Sequence, residues 1–415
     1  MKLAACLLLA LLGTALGYKS YSGYQVLKTK VLTNEDVNKL TPFLERPEFD
    51  FWITPRVGRS AEIMASRENV VILRNNLKRL NLEPQLLIED VGVTIEKERA
   101  EIAQIRAQEK KEGRAPNLST FLTFEEILAY IDEVSAAFPD IVTVTDIGTS
   151  TQGRPLRVIK LSNGPGKNAI WFDSVLHARE WIGPPTALFA INELTENLAN
   201  GNNQALLNAN DWYFLLVANP DGYAYTWSDD RLWRKTRSQT GGLCTGTDPN
   251  RNFDQFWNED QNSNTCSETY PGANAFSEPE AKAIADFLLA NPSITAYVSI
   301  HSYGKYILYP WGHTTELPPT VAELDRVAQE ANAAIESVNG NSYTVGTAAN
   351  VLYFAYGTSH DWAYAKANVP ISYTIELPGG GLAGFNPPAS LIAPTNAECW
   401  AAYQVFAANL PASRP

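Results

Sequence analysis

The sequence WFDSVLHAREWI (residues 171–182) joins an apolar run to a cluster of ionisable side chains. The apolar run predicts a buried β-strand, and it ends in His177, Arg179 and Glu180. Open α/β sheets usually bind ligands where such strands end. His177 and Glu180 are three residues apart, so both can reach one cation, and an imidazole with a carboxylate is a pair of zinc ligands. A surface contact between the two side chains explains this short motif equally well.

Length and composition predict a secreted, soluble protein with a large core. The chain has 415 residues, of which 45% are hydrophobic, and this length allows two or three domains. Residues 1–17 have a positive start, an apolar centre and a small-residue end, which is the pattern of a signal peptide. No later segment approaches the roughly 18 apolar residues of a membrane helix. With a net charge of −12, nucleic-acid binding has no electrostatic support, and a monomer is the default expectation.

Residues 18–96 form the first predicted domain. Its hydrophobic pattern predicts strands at residues 24–31, 50–52, 70–72 and 86–95, and helices at residues 34–45 and 74–82. Two helices packed on a few antiparallel strands make a small α+β sandwich. Because its charged residues are scattered, we interpret this domain as a folding or blocking propeptide.

Residues 97–114 predict a connecting helix. The segment is dense in charge, has apolar residues at helical spacing and ends in KKEGR. Exposed basic residues beside a glycine are easy targets for a trypsin-like protease. We therefore expect activation by cleavage after Arg114, with an ordinary linker as the alternative.

Residues 115–415 predict one long α/β domain, in which helices flank a mixed central sheet. Strands are expected at residues 142–148, 156–161, 169–176, 212–217, 296–301 and 371–377. Helices are expected at residues 124–137, 184–200, 278–289, 320–338 and 360–367 and near 396–408.

Two later strands of this domain also carry ionisable side chains. His301 closes the strand at 296–301, and Glu376 lies in the apolar strand at 371–377. A closely spaced pair of ligands, one distant ligand and a water form the usual catalytic zinc site. A carboxylate is costly to bury unless something uses it, so Glu376 is a candidate general base. A hydrogen-bonded core histidine and a strand-end ion pair are the alternatives.

Five motifs occur in the order and approximate spacing of the zinc metallocarboxypeptidases: HARE (177–180), WRKT (233–236), PNRN (249–252), HSY (301–303) and TIE (374–376). The chain resembles the pancreatic-type digestive procarboxypeptidases of the A and B group from its prosegment to its C-terminus. This resemblance implies a zymogen with one Zn²⁺ per chain that removes C-terminal residues from peptides and proteins.

The resemblance also implies roles for the residues at the metal and the scissile bond. His177, Glu180 and His301 match the zinc ligands of the family. Glu376 matches the carboxylate that activates water and then passes its proton to the leaving amine, and Arg234 matches the side chain that stabilises the oxyanion.

Other positions match substrate-binding and supporting residues of the family. Asn250, Arg251 and Tyr353 match the clamp on the terminal carboxylate of the substrate, with Tyr353 on a mobile loop. Arg179 and Tyr303 match positions that line more distant subsites.

Three further residues match structural positions of the family. Asp248 matches the carboxylate that orients the first histidine ligand. Cys244 and Cys266 match a disulfide, which an oxidising compartment also favours. Cys399 lies in an apolar helical pattern and is expected to be a buried free thiol.

Specificity depends on His360, which falls on the family position at the base of the side-chain pocket. Relatives usually carry an aliphatic residue there for apolar substrates or an aspartate for basic ones. Histidine has an ordinary pKa of about 6.5, so it would be mostly neutral near pH 7. We therefore expect apolar or aromatic C-terminal residues, with acidic residues at low pH as the alternative.

Two rival functions share these motifs. One is a binding protein that has lost catalysis, which the complete set of motif residues disfavours. The other is a zinc deacylase acting on a non-peptide amide. Arg251 and Tyr353 favour a substrate with a terminal carboxylate, but a small N-acyl amino acid also carries one.

Overall fold

A computed structural model describes residues 18–44, 46–112 and 118–411. The predicted signal peptide and the predicted cleavage site at Arg114 lie outside these residues. In the described residues, the strands are β1 (Gln25–Lys30), β2 (Phe49–Ile53), β3 (Ser60–Ala65), β4 (Pro84–Ile88), β5 (Val142–Thr149), β6 (Pro155–Leu161), β7 (Asn168–Ser174), β8 (Asn210–Leu215), β9 (Ile294–Ser302), β10 (Tyr306–Tyr309), β11 (Thr344–Thr347) and β12 (Ile371–Leu377).

The α-helices of the same residues are α1 (Asn34–Leu44), α2 (Arg67–Arg79), α3 (Val91–Glu112), α4 (Phe124–Ala137), α5 (Gly183–Glu193), α6 (Asn203–Ala209), α7 (Pro220–Ser228), α8 (Pro279–Ala290), α9 (Val321–Asn339), α10 (Ala348–Val351), α11 (Ser359–Ala365) and α12 (Ile392–Ala408). Short 3₁₀ helices lie at Pro249–Arg251 and Ala389–Leu391. None of the helices in the described ranges is both long and apolar enough to cross a membrane.

Eight strands form a mixed sheet in the order β11-β10-β12-β9-β7-β8-β6-β5. Its four central strands, β12, β9, β7 and β8, are parallel to one another. Antiparallel pairings join β10 to β12, β6 to β8 and β5 to β6, and β11 pairs in parallel with β10. Parallel strands are normally covered by helices on both faces. All nine residues of β9 are accordingly buried, with α5 and α12 on one face and α8 and α11 on the other. This confirms the predicted mixed sheet flanked by helices.

The N-terminal region forms a second, antiparallel sheet in the order β2-β3-β1-β4. Helices α1 and α2 pack on it through a small apolar core, which confirms the predicted α+β sandwich. A further apolar cluster joins this sandwich to the large domain, where Trp52 packs against Phe385 with ring centroids 5.4 Å apart. The predicted domain boundaries themselves stay predictions.

Several predicted elements of the first domain were wrong. Residues 70–72 belong to α2, because Ser66 caps that helix and Val70, Leu73 and Leu77 place one apolar face against the sheet. The predicted strand at 86–95 ends at Ile88, since α3 starts at Val91. Strand β3 was not predicted at all.

The large domain follows the predictions more closely. Helix α4 and strand β12 have the predicted bounds, and each end of β9 lies within two residues of its predicted position. Helix α5 ends at Glu193 instead of residue 200, and turns follow it. The connecting helix α3 begins at Val91 instead of residue 97. The Cys244–Cys266 disulfide is present, and Cys399 is a buried free thiol.

Candidate functional site

The ends of three neighbouring parallel strands define the candidate site. The register of β7 and β9 pairs Ser174 with Ile300, and the register of β9 and β12 pairs His301 with Glu376. His177 follows three residues after the end of β7. Because parallel strands end at the same edge of a sheet, residues that are 199 positions apart in the chain meet there (376 − 177 = 199).

A strained turn carries the chain from β7 to His177. Val175 has a φ of 59°, in the left-handed region, which costs an L-residue about 1–2 kcal/mol. Asn219 holds the turn, since its backbone N–H donates to the carbonyl of Val175 at 3.0 Å and its Nδ2 donates to that of Leu176 at 3.2 Å. The position of His177 is therefore set by tertiary contacts.

Three buried side chains converge on one point. Nδ1 of His177 lies 2.8 Å from Oε1 of Glu180 and 3.1 Å from Nδ1 of His301. The same Nδ1 of His301 lies 3.0 Å from Oε2 of Glu180. The ligand atoms all lie within 4.8 Å of one another. Two imidazole nitrogens and a carboxylate form a donor set that zinc takes in catalytic sites, so these residues fit the metal.

Asp248 organises the side chains behind this cluster. Its Oδ1 lies 3.1 Å from Nε2 of His177 and accepts the backbone N–H of Asn250 at 2.9 Å. Its Oδ2 accepts from Arg234, with Nη2 at 2.8 Å and Nε at 3.2 Å. One buried carboxylate thus fixes both an imidazole of the cluster and the guanidinium beside it.

The charges around the cluster favour ligation. Burial, with help from Arg234, lowers the pKa of His177. Although burial opposes ionisation, the two imidazoles hold the pKa of Glu180 well below its usual range. Burial also disfavours a charged His301, but Glu180 outweighs it and raises the pKa of that imidazole. Because metal ligands must be unprotonated, His301 must be neutral at the ligating nitrogen when it binds the metal.

Glu376 lines the same cavity as His177 and Glu180 of the cluster. Burial and the negative charge of Glu180 raise the pKa of Glu376 to about 8. A divalent cation held by Glu180 would oppose this effect, because it places positive charge beside both carboxylates. Glu376 is therefore a carboxylate that can accept or hold a proton next to the metal position.

Arg251 and Tyr353 meet on the other side of the cavity. Nη2 of Arg251 lies 3.4 Å from the Tyr353 hydroxyl, and Nη1 donates to the carbonyl of Asn250 at 2.7 Å. Oδ1 of Asn250 accepts the backbone N–H of Ser359 at 2.8 Å. The guanidinium lines the cavity and is a carboxylate-binding group.

His360 lies behind this region and is buried. Its Nδ1 is 3.2 Å from Oγ1 of Thr374. Its Nε2 is 3.2 Å from Oδ1 of Asp361 but makes no hydrogen bond. Burial lowers the pKa of His360 more than the negative charge of Asp361 raises it, and the positive charge of Arg251 adds to the lowering, so the imidazole is mostly neutral near pH 7.

The N-terminal sandwich closes the cavity, which has a volume of about 790 Å³. Asp50 on β2 pairs with Arg179, with oxygen–nitrogen distances of 2.7 Å and 3.3 Å. Glu62 on β3 accepts the Tyr303 hydroxyl at 3.0 Å. Both residues that the sequence assigned to distant subsites are therefore bound to carboxylates of the sandwich.

Sequence reasoning missed several buried pairs. Arg231 binds Glu98 on α3 at 2.6 Å and 2.8 Å, and both side chains are almost fully buried. Ser299 bridges His301 and Asp173. No local signal identified these residues, because each pair is set by tertiary packing or strand register.

The chain is similar to known carboxypeptidases along most of its length. Residues 127–402 match the zinc carboxypeptidase family model, and residues 27–98 match the carboxypeptidase activation peptide. The chain is 36% identical to carboxypeptidase A1 of Rattus norvegicus over 399 residues, which cover 94% of this chain and 95% of the relative. It is 36% identical to carboxypeptidase A2 of Mus musculus over 402 residues, with 95% of each chain covered.

Solved structures agree with these relatives. Carboxypeptidase A from Helicoverpa armigera superposes with a TM-score of 0.87 at 32% identity, covering 94% of this chain and 97% of that one. Thrombin-activatable fibrinolysis inhibitor superposes with a TM-score of 0.82 at 32% identity, covering 93% and 98%. The chain therefore belongs to the zinc carboxypeptidases and carries their activation peptide.

Proposed function

We propose that this protein is a secreted zymogen that, once cleaved, hydrolyses the C-terminal peptide bond of peptides and proteins and prefers apolar or aromatic terminal residues. The observation that carries this proposal is one cavity lined by His177 and Glu180 of the three-ligand cluster, by Glu376 and by the Arg251–Tyr353 pair. Secretion rests on the signal-peptide pattern of residues 1–17 and agrees with a disulfide, which forms in oxidising compartments.

His177, Glu180 and His301 are the proposed zinc ligands. Bound zinc supplies Lewis-acid polarisation of the scissile carbonyl and lowers the pKa of water. Glu376 takes the proton from the attacking water and delivers it to the leaving amine. Its carboxyl group lines the cavity, where a bound substrate would lie within its reach.

Arg234 is the proposed oxyanion donor. Although burial opposes its charge, Asp248 raises the pKa of Arg234, so the guanidinium stays cationic at every pH of interest. Two hydrogen bonds to Asp248 fix its plane. A preorganised cation needs no reorientation when negative charge develops on the carbonyl oxygen.

Arg251 explains why the reaction is restricted to chain ends. A guanidinium binds a carboxylate through two parallel hydrogen bonds, and an internal peptide bond offers no carboxylate there. A substrate without one would leave the buried cation unpaired, which is costly. Tyr353 and Asn250, which lie next to Arg251, are proposed to complete the clamp.

His360 is proposed to be a neutral wall of the side-chain pocket. Gly312, Ala348 and Ala355 lie close together beside Asp361, and their small side chains leave room for a large apolar residue. Since burial lowers the pKa of His360, acidification from pH 8 to pH 6 charges it less than an ordinary histidine. We therefore propose that it is a poor cationic partner for an acidic terminal residue.

The sandwich is proposed to inhibit the enzyme by occupying its cleft. Asp50 and Glu62 bind Arg179 and Tyr303, and the Glu98–Arg231 pair anchors α3 to the large domain. A trypsin-like protease that cuts after Arg114 would free the sandwich from the chain. The cleft opens only when these pairs also separate.

Metal binding provides the first prediction. Full-length protein should hold one zinc ion per chain, and His301→Ala should lose it. Removing zinc with a chelator should lower the melting temperature, because a ligand at about 1,000 times its Kd stabilises a protein by about 4 kcal/mol. Zinc content by atomic absorption and thermal unfolding would test this. His313→Ala is the matched control, since His313 lies outside the cluster. Retention of zinc by His301→Ala would contradict the ligand assignment.

Residue release tests the proposed specificity. Trypsin-treated protein should release Phe and Leu from peptide C-termini much faster than Arg or Glu, and a chelator should abolish release. Release of Glu should increase little between pH 8 and pH 6 and stay far below that of Phe, because burial lowers the pKa of His360. Amino-acid analysis at both pH values, with and without chelator, measures this.

The controls for that assay separate chemistry from binding. Glu376→Gln should keep zinc and reduce release by roughly 10²–10⁴-fold, the usual contribution of a general base. Glu release that grows at pH 6 would make His360 a cationic selector. No release from any peptide by zinc-loaded protein would reject the peptidase function.

Prosegment retention provides a further prediction. Glu98→Ala leaves Arg231 buried without its partner, and breaking such a pair costs roughly 3–5 kcal/mol. After trypsin cleavage, the wild-type sandwich should co-elute with the large domain on size exclusion, whereas the Glu98→Ala sandwich should separate. Glu96→Ala, exposed on the same helix, is the control and should behave like wild type. Equal retention in both variants would show that this pair does not hold the prosegment.

A further inference from the structure

We infer that Ser299 and Asp173 position His301 for the metal through a two-step hydrogen-bond relay. The imidazole donates to the Ser299 hydroxyl, and the hydroxyl donates to the Asp173 carboxylate. This inference rests on the proposed role of His301 as a zinc ligand. It makes Ser299 and Asp173 positioning residues, since neither reaches the metal or the substrate.

The sheet brings the three residues together. Ser299 and His301 are two positions apart on β9, so their side chains leave the same face of the strand. Asp173 on β7 is the cross-strand partner of Ser299. Oγ of Ser299 lies 3.1 Å from Nε2 of His301 and 2.6 Å from Oδ1 of Asp173. The relay is therefore a direct result of the β7–β9 register.

The positions of the hydrogen atoms fix the direction of the relay. Nδ1 of His301 faces the cluster, so in a neutral ring that ligates a metal the hydrogen must be on Nε2. That N–H needs an acceptor. Nδ2 of Asn250 is 3.4 Å away but is itself a donor, because Oδ1 of Asn250 already accepts the backbone N–H of Ser359. Of these two neighbours only the Ser299 hydroxyl can accept, and its own hydrogen then goes to Asp173.

Burial makes this relay more than an ordinary core contact. Ser299 is 0% exposed, and Asp173 and His301 are each 1% exposed. A buried carboxylate is costly unless it is hydrogen-bonded. Asp173 meets this condition with the Ser299 hydroxyl on Oδ1 and the indole N–H of Trp171 on Oδ2 at 2.8 Å. The carboxylate is thus held rigidly where it can polarise the hydroxyl.

The two histidines of the cluster are consequently supported in different ways. His177 contacts the carboxylate of Asp248 directly, whereas His301 reaches Asp173 through a hydroxyl. Partners of this kind fix the tautomer and the ring orientation, and their loss typically weakens metal binding 10–100-fold. Ser299→Ala removes the acceptor and leaves the N–H of His301 without a partner.

The test measures zinc affinity of the full-length protein rather than activity. Each variant is stripped of metal, and its Kd for zinc is measured by competition with a chromogenic chelator. The Kd of Ser299→Ala for zinc should rise about 10-fold or more, and the Kd of Asp173→Asn should also rise. Ser299→Thr keeps the hydroxyl, so its Kd should stay within about 3-fold of wild type. The visible spectrum of the Co²⁺-substituted protein should also change in Ser299→Ala and be restored in Ser299→Thr.

Ser174→Ala is the matched control for lost core packing. Ser174 is a buried serine of the same sheet whose hydroxyl donates to the Leu216 carbonyl, without contact to His301. Thermal unfolding of the metal-free variants shows whether each one is folded. If Ser299→Ala is not folded, the zinc affinity of Asp173→Asn is used in its place. Unchanged zinc affinity in Ser299→Ala, or an equal loss in Ser174→Ala, would overturn the relay.

The same assay separates this inference from the proposed function. If His301→Ala loses zinc while Ser299→Ala binds it normally, only the relay fails. If His301→Ala keeps its zinc, the ligand assignment fails first, and the relay fails with it.

Discussion

The parallel pairing of β7, β9 and β12 is the constraint on which the site depends. Register alone places Ser174 beside Ile300 and His301 beside Glu376, so the backbone fixes where the proposed ligand and the candidate base lie relative to each other. Burial of these strands on both faces then removes water from the edge where they end, which strengthens each electrostatic interaction there. Buried ionisable groups are stable only if each has a hydrogen-bonding or charged partner. Asp248 is the partner of His177, and Asp173 contacts His301 through the Ser299 hydroxyl.

The same desolvated cleft explains how one chain can be both enzyme and inhibitor. Arg179 and Tyr303, which we propose contact a peptide substrate, need hydrogen-bonding partners in its absence, and the sandwich supplies Asp50 and Glu62. An apolar contact between Trp52 and Phe385 adds to the packing of the sandwich against the large domain. In the inhibition proposed above, the sandwich is complementary to the cleft, and the buried Glu98–Arg231 pair adds an anchor to the large domain.

Sequence patterns predicted the parts of the fold in which local and tertiary preferences agree. The apolar strand β12 and the capped, amphipathic helix α4 were placed correctly for that reason. The run at residues 70–72 has the composition of a strand, but the cap at Ser66 and a helical apolar face override it. Ser299, Asp173 and Glu98 could not be predicted, because each lies in an unremarkable local pattern and acquires its partner only through strand register or domain packing.

The most direct test of the proposed carboxypeptidase activity compares two peptides that differ only at their C-terminal ends. Zinc-loaded, trypsin-cleaved protein is incubated with a peptide ending in Phe and with the same peptide carrying a C-terminal amide, and the products are identified by mass spectrometry. We expect stepwise loss of terminal residues from the free peptide and no reaction of the amide, because the proposed clamp at Arg251 requires a carboxylate. Equal cleavage of both peptides, or cleavage at internal bonds, would contradict it.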